Sequence, residues 1–143
     1  MDLLPRKMKS GLKAGMIKFV VDAYAWIEYL EGSDKGKKVA KIIEDDSNSI
    51  FTSSATVAEV VSKVLRSGKD VNAALAHINN FSKVLDVSQE ISVSAGQTHF
   101  EAKKRNQDFG MLDAFVAATA NHLNAKILTG DDDFKHFKTT VFI

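Results

Sequence analysis

The sequence predicts an α/β domain built on a mostly parallel sheet of four to five strands with helices on both faces. Three observations carry that expectation. Ile17-Lys18-Phe19-Val20-Val21-Asp22 sets three bulky apolar residues directly before an aspartate, the pattern of a strand buried on both faces. Helix-period segments separate it from each later strand-like run, and no hairpin signal joins any two of those runs. Acidic residues follow several of the runs, and open α/β sheets bind ligands in the crevice beyond the carboxyl ends of their strands.

The elements follow in order. Ala23 to Leu30, with Trp26, Ile27, Tyr29 and Leu30, reads as a short helix ending near Gly32. Ser33 is placed to cap a second helix carrying Val39, Ile42 and Ile43 at helical spacing, with Lys37 and Lys38 outside. A polar turn at 45–48 leads into Ser49-Ile50-Phe51-Thr52 as the second strand. Ser53 or Ser54 caps a third helix running to about Arg66 and closed by Gly68. Asp70 caps a fourth, with Val71, Ala74, Leu75, Ile78 and Phe81 on one face. Val84 to Val87 is the expected third strand, followed by a long, weakly patterned helix from Gln89 to Arg105. Asn106 to Gly110 breaks it, Leu112 to Leu123 is an alanine-rich helix, and Lys126 to Thr129 is a fourth strand. A turn at 130–134 and a last strand at Thr140 to Phe142 complete the chain.

Composition narrows the chemistry. At 143 residues the chain fits one domain able to bury a core without disulfide or metal staples. It has no cysteine, which excludes disulfides, zinc-thiolate sites and iron–sulfur clusters and is compatible with a reducing, cytoplasmic setting. No apolar stretch approaches the roughly 20 residues that span a bilayer, and no signal-peptide pattern opens the chain. Arg6, Lys7, Lys9, Lys13 and Lys18 against Asp2 give the first 18 residues +4, so residues 19–143 carry −3 of the net +1. The first fifteen residues, with Pro5, Gly11 and Gly15 and no apolar period, read as a basic N-terminal extension that is poorly ordered. The globular domain is expected over 16–143, and any polyanion it handles needs local basic patches or bound cations.

Four acids fall where a parallel sheet collects side chains. Asp22 follows the first strand, Glu59 lies early in the helix after the second, and Asp131 follows the fourth strand beside Asp132 and Asp133. Asp113 begins the helix that leads into that strand. Each has an ordinary role available: Asp22 as a helix cap, Glu59 in an i,i+4 pair with Lys63 on a face opposite Val57, Val61 and Val64, Asp113 at a helix dipole, and the aspartate triplet in a turn. Their shared edge is harder to explain singly. Gathered carboxylates repel one another and rise in pKa unless a cation sits among them. Hard divalent ions with oxygen ligands suit such a set, and phosphodiester hydrolysis suits such ions.

The residues resemble the PIN domain family, and within it the small VapC-type toxin ribonucleases. Four blocks carry the resemblance in family order: Val20-Val21-Asp22-Ala23 with Trp26-Ile27, Thr52 through Val60, Gly110 through Ala120, and Ile127 through Phe134. The resemblance implies a three-layer α/β/α sandwich and a metal-dependent endoribonuclease acting on single-stranded or looped RNA. It implies Asp22, Glu59, Asp113 and Asp131 as the acidic quartet, with Mg²⁺ or Mn²⁺ held by Asp22, Asp113, Asp131 and Asp133. Ser53 and Thr129 fit as polar residues that orient water or an acid. A homodimer and a small antitoxin lying across the site are implied as well. The triplet at 131–133 leaves the fourth ligand open between Asp131 and Asp133, with Asp131 favoured.

Two rivals belong to other classes. One is a catalytically silent PIN-like module that binds RNA or protein, for which four converging acids have no evident use. The other is a haloacid-dehalogenase-type phosphatase, which needs a second acid where this chain has Tyr24. Within the nuclease reading, a housekeeping RNA-processing enzyme is the alternative to a toxin. Lys103, Lys104 and Arg105 are candidates for gripping RNA phosphates, against the plainer role of a solvated helix end. Trp26 is expected in the core, Tyr29 is divided between core and surface, and His77, His99, His122 and His136 lack metal or triad spacing.

Overall fold

A computed structural model describes residues 16–143; the basic extension expected at residues 1–15 lies outside them. Five strands form one sheet in the order β3-β2-β1-β4-β5. They are β1 (Ile17–Val21), β2 (Asn48–Ser53), β3 (Lys83–Leu85), β4 (Lys126–Thr129) and β5 (Thr140–Phe142). Every pairing is parallel, so all five carboxyl ends face one edge. The helices are α1 (Ala23–Glu31), α2 (Asp34–Ile43), α3 (Ser54–Arg66), α4 (Val71–Phe81), α5 (Gln89–Lys103) and α6 (Met111–Leu123), with a 3₁₀ turn at Asp132–Phe134.

The alternation of β1 builds both cores. Phe19 and Val21 point into a cluster with Trp26, Val39, Ile43, Val60 and Ile78, contributed by α1 to α4. Val20 points the other way, into a cluster of Ile91, Ala95, Phe109 and the alanine face of α6. Leu128 and Ile127 divide between the two layers in the same manner. Val20 and Val21 are wholly buried, worth about 1.5–3 kcal/mol each. The two layers make the sandwich.

Local chemistry fixes the helix ends. Ser33 Oγ accepts from the Gly36 amide at 3.0 Å, Asp70 Oδ1 from Asn72 at 2.8 Å, and Gly32 and Gly68 close α1 and α3 at φ 68°. Gly36 is needed for packing as well: a Cβ there would lie 2.0 Å from the Glu28 carbonyl oxygen, so α2 crosses the end of α1 only without a side chain. Trp26 is buried and its indole N–H donates to Thr52 Oγ1 at 3.1 Å. Thr52 and Ser82 hydroxyls are 2.8 Å apart, and Ser82 Oγ donates to the Ile78 carbonyl at 2.7 Å. Since Ser82 has one proton, Thr52 must donate to it, and the relay Trp26–Thr52–Ser82–Ile78 is complete. Tyr29 joins the core, edge-on to Trp26 at 5.7 Å, with its hydroxyl on Glu44 Oε2 at 2.8 Å.

Two element ends and one helix face differ from expectation. The third strand is Lys83–Leu85 and excludes Asp86 and Val87. Leu85 pairs with Ser53, and β2 turns into α3 at the next residue, so nothing remains for 86 and 87 to pair with; the Val87 amide donates to Ser54 Oγ instead. Helix α5 stops at Lys103, where the amides of Lys104 and Arg105 turn back to Glu101 and Ala102. The buried stripe of α3 is Thr56, Val60 and Val64, rotated from the Val57, Val61 and Val64 face. That rotation moves Glu59 from the outer side of the helix to its half-buried flank.

Candidate active site

The carboxyl edge of the sheet gathers the acids. Asp22 leaves β1 at the N-cap position of α1, yet its side chain does not cap the helix. It is 4 % exposed and accepts from Thr129 Oγ1 at 2.8 Å. Thr129 Oγ1 in turn accepts from the Asp131 amide at 3.0 Å. One hydroxyl at the end of β4 thus ties the end of β1 to the start of the aspartate turn. Asp131 Oδ1 accepts from the Asp133 amide at 2.9 Å, which winds the turn so that both carboxylates face inward. Asp132 is exposed. Gly130 lets the Tyr24 ring lie against the turn; a Cβ there would push the ring aside.

Asp113 arrives from α6. Its Oδ2 accepts from the Gly110 amide at 2.9 Å, the reciprocal half of a capping box. This fixes the carboxylate toward the sheet. Asp113, Asp131 and Asp133 each offer an oxygen, and these oxygens lie within 4.8 Å of one another. Three carboxylates this close are a donor set that suits a small hard cation, which would draw their oxygens to roughly 3–4.2 Å of one another at ligand distances of about 2.1 Å. Glu59 stands at the margin, its Oε2 3.3 Å from Lys63 Nζ, the i,i+4 pair its spacing foretells.

The electrostatics show carboxylates short of positive charge. Asp113 is pushed up to about 7, first by burial and then by Asp22, Asp131 and Asp133, against the lowering Gly110 amide. Asp22 is pushed up to about 6, chiefly by burial, with Glu59 and Asp131 adding to it and the Thr129 hydroxyl and Ala23 amide opposing. A divalent ion would reverse both shifts.

The family model of the PIN domain matches residues 19–139. The chain belongs to the PIN domain family. Solved structures agree on the fold. VapBC2 of Rickettsia felis, bound to a DNA fragment from its promoter, superposes with a TM-score of 0.69 at 18% identity, over 89% of this chain and 98% of that one. VapC20 of Mycobacterium tuberculosis, a sarcin–ricin loop cleaving toxin, gives 0.69 at 16%, over 87% and 96%. PAE2754 of Pyrobaculum aerophilum gives 0.66 at 15%, over 91% and 92%. No curated protein sequence matches the chain significantly.

Within this PIN domain the other expected residues divide. Thr129 bonds an acid directly, whereas Ser53 caps α3 through the Ala55 amide at 3.2 Å and has no carboxylate partner among the described residues. Lys103 Nζ is held by the Gln107 carbonyl at 2.9 Å, and Lys104 by Glu101 at 3.1 Å and by the Phe100 ring at 4.5 Å. Arg105 has no side-chain partner among the described residues. Two contributors were not singled out from the sequence. Asn106 Nδ2 donates to Asp133 Oδ1 at 3.1 Å, and the Gly110 amide orients Asp113. The second was legible as a capping spacing of three residues before Asp113; the first joins positions 27 apart and had no local signal.

Proposed function

We propose that this PIN domain is a metal-dependent endoribonuclease, the toxin of a type II toxin–antitoxin pair. The observation that carries the reading is the Asp113, Asp131 and Asp133 cluster, joined through Thr129 to buried Asp22 and flanked by Glu59. Asp22, Asp113, Asp131 and Asp133 would hold Mg²⁺ or Mn²⁺. Such an ion supplies Lewis acidity and a local positive charge for phosphodiester hydrolysis. The chain's own groups do the rest. Thr129 keeps Asp22 turned toward the cluster, Gly110 holds Asp113, and Asn106 holds Asp133. Glu59, half-buried and paired with Lys63, would receive a proton from water at the scissile phosphate.

The solved neighbours include toxin–antitoxin complexes, which supports a small antitoxin as partner. A hollow of about 150 Å³ lined by Tyr24, Ile27, Glu28, Glu31 and Lys63 adjoins the Glu59 margin and offers such a partner a seat beside the acids. Exposed Val93 and Phe100 on α5 and Met111 and Leu112 on α6 suit a homodimer contact. No described helix is long and apolar enough to cross a membrane.

The test is cleavage of a labelled, partly single-stranded RNA with Mg²⁺, Mn²⁺ or EDTA, comparing wild type with Asp22→Asn and Asp113→Asn. Cutting that requires the ion and is lost in both variants is the expected result. Equal cutting by all three proteins would refute the assignment.

A further inference from the structure

A groove borders the acid cluster at Asp133. Three hollows run together between α5 and the loop that precedes β5. The first, about 260 Å³, includes Asn121, Asn124 and Thr139 in its lining. The second, about 270 Å³, includes Gln97, Thr98 and Arg105. The third is a narrow neck of about 10 Å³ that reaches Asn106 and Asp133. Phe137 lines all three, and Arg105 lines the second and third. The groove therefore connects the far side of α6 with a carboxylate of the cluster.

Its lining is amide-rich, with Arg105 as its cation and exposed lysines on the adjoining loop. His136, Phe137 and Thr139 line it from the loop before β5, and the whole loop segment Lys135-His136-Phe137-Lys138-Thr139 contains no acid. Lys135, His136 and Lys138 are exposed. Phe137 is held by the Phe109 ring at 5.3 Å, nearly parallel at 22°, so the groove floor is a fixed aromatic. Of the acids along the groove, Glu101 is taken by Lys104 at 3.1 Å, and Asp133 marks the end at the cluster. Arg105, the guanidinium without a side-chain partner among the described residues, stands between them.

We propose that this groove seats the single-stranded flank of the RNA, with Arg105 as its chief phosphate contact and Lys135 and Lys138 alongside. The proposal rests on the nuclease reading and deepens it. A planar guanidinium engages phosphate oxygens two at a time, and asparagine and threonine side chains serve sugars and base edges. An acidic peptide would meet the same cations. Nearness to the acid cluster favours RNA: Arg105 and Asp133 line the same narrow neck, so a phosphate held by Arg105 at the surface would lie beside the acids that would hold the ion.

The test uses the full chain and a labelled single-stranded RNA, with binding read by anisotropy in the cleavage-deficient Asp113→Asn background and cleavage read in the wild-type background. Arg105→Gln is expected to raise Kd and KM about tenfold, with the melting temperature unchanged and Arg105→Lys recovering part of the loss. Lys135→Gln and Lys138→Gln are expected to raise both about threefold. The slope of log K against log salt should fall by about 0.7 for each contact removed. Lys41→Gln, the same charge change on the α2 surface, controls for net charge. If wild type cuts RNA while Kd and slope are unmoved by Arg105→Gln, the groove is overturned and the nuclease stands. If wild type neither binds nor cuts RNA under any ion, both fall. Arg105-dependent capture of poly-glutamate, with RNA affinity unaffected, would reassign the groove to a peptide and overturn the proposal.

Discussion

Two polar constellations lie on the same sheet and differ in whether they are closed. On the β2–β3 side, Trp26, Thr52, Ser82 and the Ile78 carbonyl form a neutral relay in which each donor meets an acceptor. At the carboxyl edge, Asp22 accepts from the Thr129 hydroxyl and the Ala23 amide, Asp113 from the Gly110 amide, Asp131 from the Asp133 amide and Asp133 from the Asn106 side chain. No lysine or arginine pairs with these four among the described residues. A satisfied buried network stabilises and specifies a core, whereas one left short of counter-charge is a standing cost. The comparison teaches where the fold is finished and where it waits for something else.

Breaking the two regions should therefore give opposite signatures. The largest expected effect is on catalysis: Asp113→Asn should lower RNA cleavage by roughly 10²–10³-fold, the scale of removing one preorganised electrostatic group. The same change should raise the melting temperature of the metal-free protein, because it removes a carboxyl group that burial, and then its acidic neighbours, push up to about 7. A thermal melt in EDTA checks it, and a lower melting temperature would contradict the open-cluster account. Next in size is the ion itself. Mg²⁺ at about 100 times its Kd should stabilise wild type by about 2.7 kcal/mol, with the gain absent in Asp113→Asn. Thr52→Val should do the reverse of Asp113→Asn. It strands the Trp26 N–H and the Ser82 hydroxyl and should cost about 1–3 kcal/mol in denaturant unfolding, leaving the Mg²⁺ gain in place.

The pH dependence sharpens the contrast, and its sign follows from linkage. Asp22 rises from 3.8 to about 6 and Asp113 from 3.8 to about 7, so between about pH 4 and 7 the folded state binds more protons than the unfolded chain. Stability from these groups is complete below pH 4 and is lost as pH rises through the folded values. For buried Asp22 the loss is on the order of 3 kcal/mol; Asp113, half exposed, contributes less than its shift suggests. In EDTA, the stability advantage of Asp22→Asn over wild type should grow from pH 4 to 7. An advantage constant across that range would mean that Asp22 keeps an ordinary pKa.

The sequence made the frame legible because each signal was local. Val20-Val21-Asp22 announces a buried strand and the residue that leaves it, and Ser33 and Asp70 announce helix starts by their own hydrogen bonds. Parallel order followed from the absence of hairpins. Asp22 and Asp131 were legible as sharing an edge because a parallel sheet sends all strand ends there; the close group is Asp113, Asp131 and Asp133, with Asp22 and Glu59 outside it. What was illegible depended on other segments. The end of β3 was set by β2 turning into α3, and the flank position of Glu59 by a one-residue rotation of the α3 stripe. The local capture of Lys103 and Lys104 was set by how α5 unwinds, and that same unwinding leaves Arg105 facing the groove.

Asn106 gives the smallest and most specific test. Its amide touches only one acid of the cluster, and it bonds through Nδ2 to Asp133 while its Oδ1 accepts from the Asp108 amide at 3.0 Å. Asn106→Ser keeps a short side-chain acceptor for the turn and removes the donor that orients Asp133, without adding charge. Outer contacts of this kind typically change metal affinity by about 10–100-fold, and the lower end is expected because Asp113 and Asp131 keep their own supports. The measurement is the Mg²⁺ concentration at half-maximal cleavage beside the metal-free melting temperature. A rightward shift with little change in melting places Asn106 as a positioning residue for Asp133. A change in melting alone would instead tie it to the closed, structural side of the molecule.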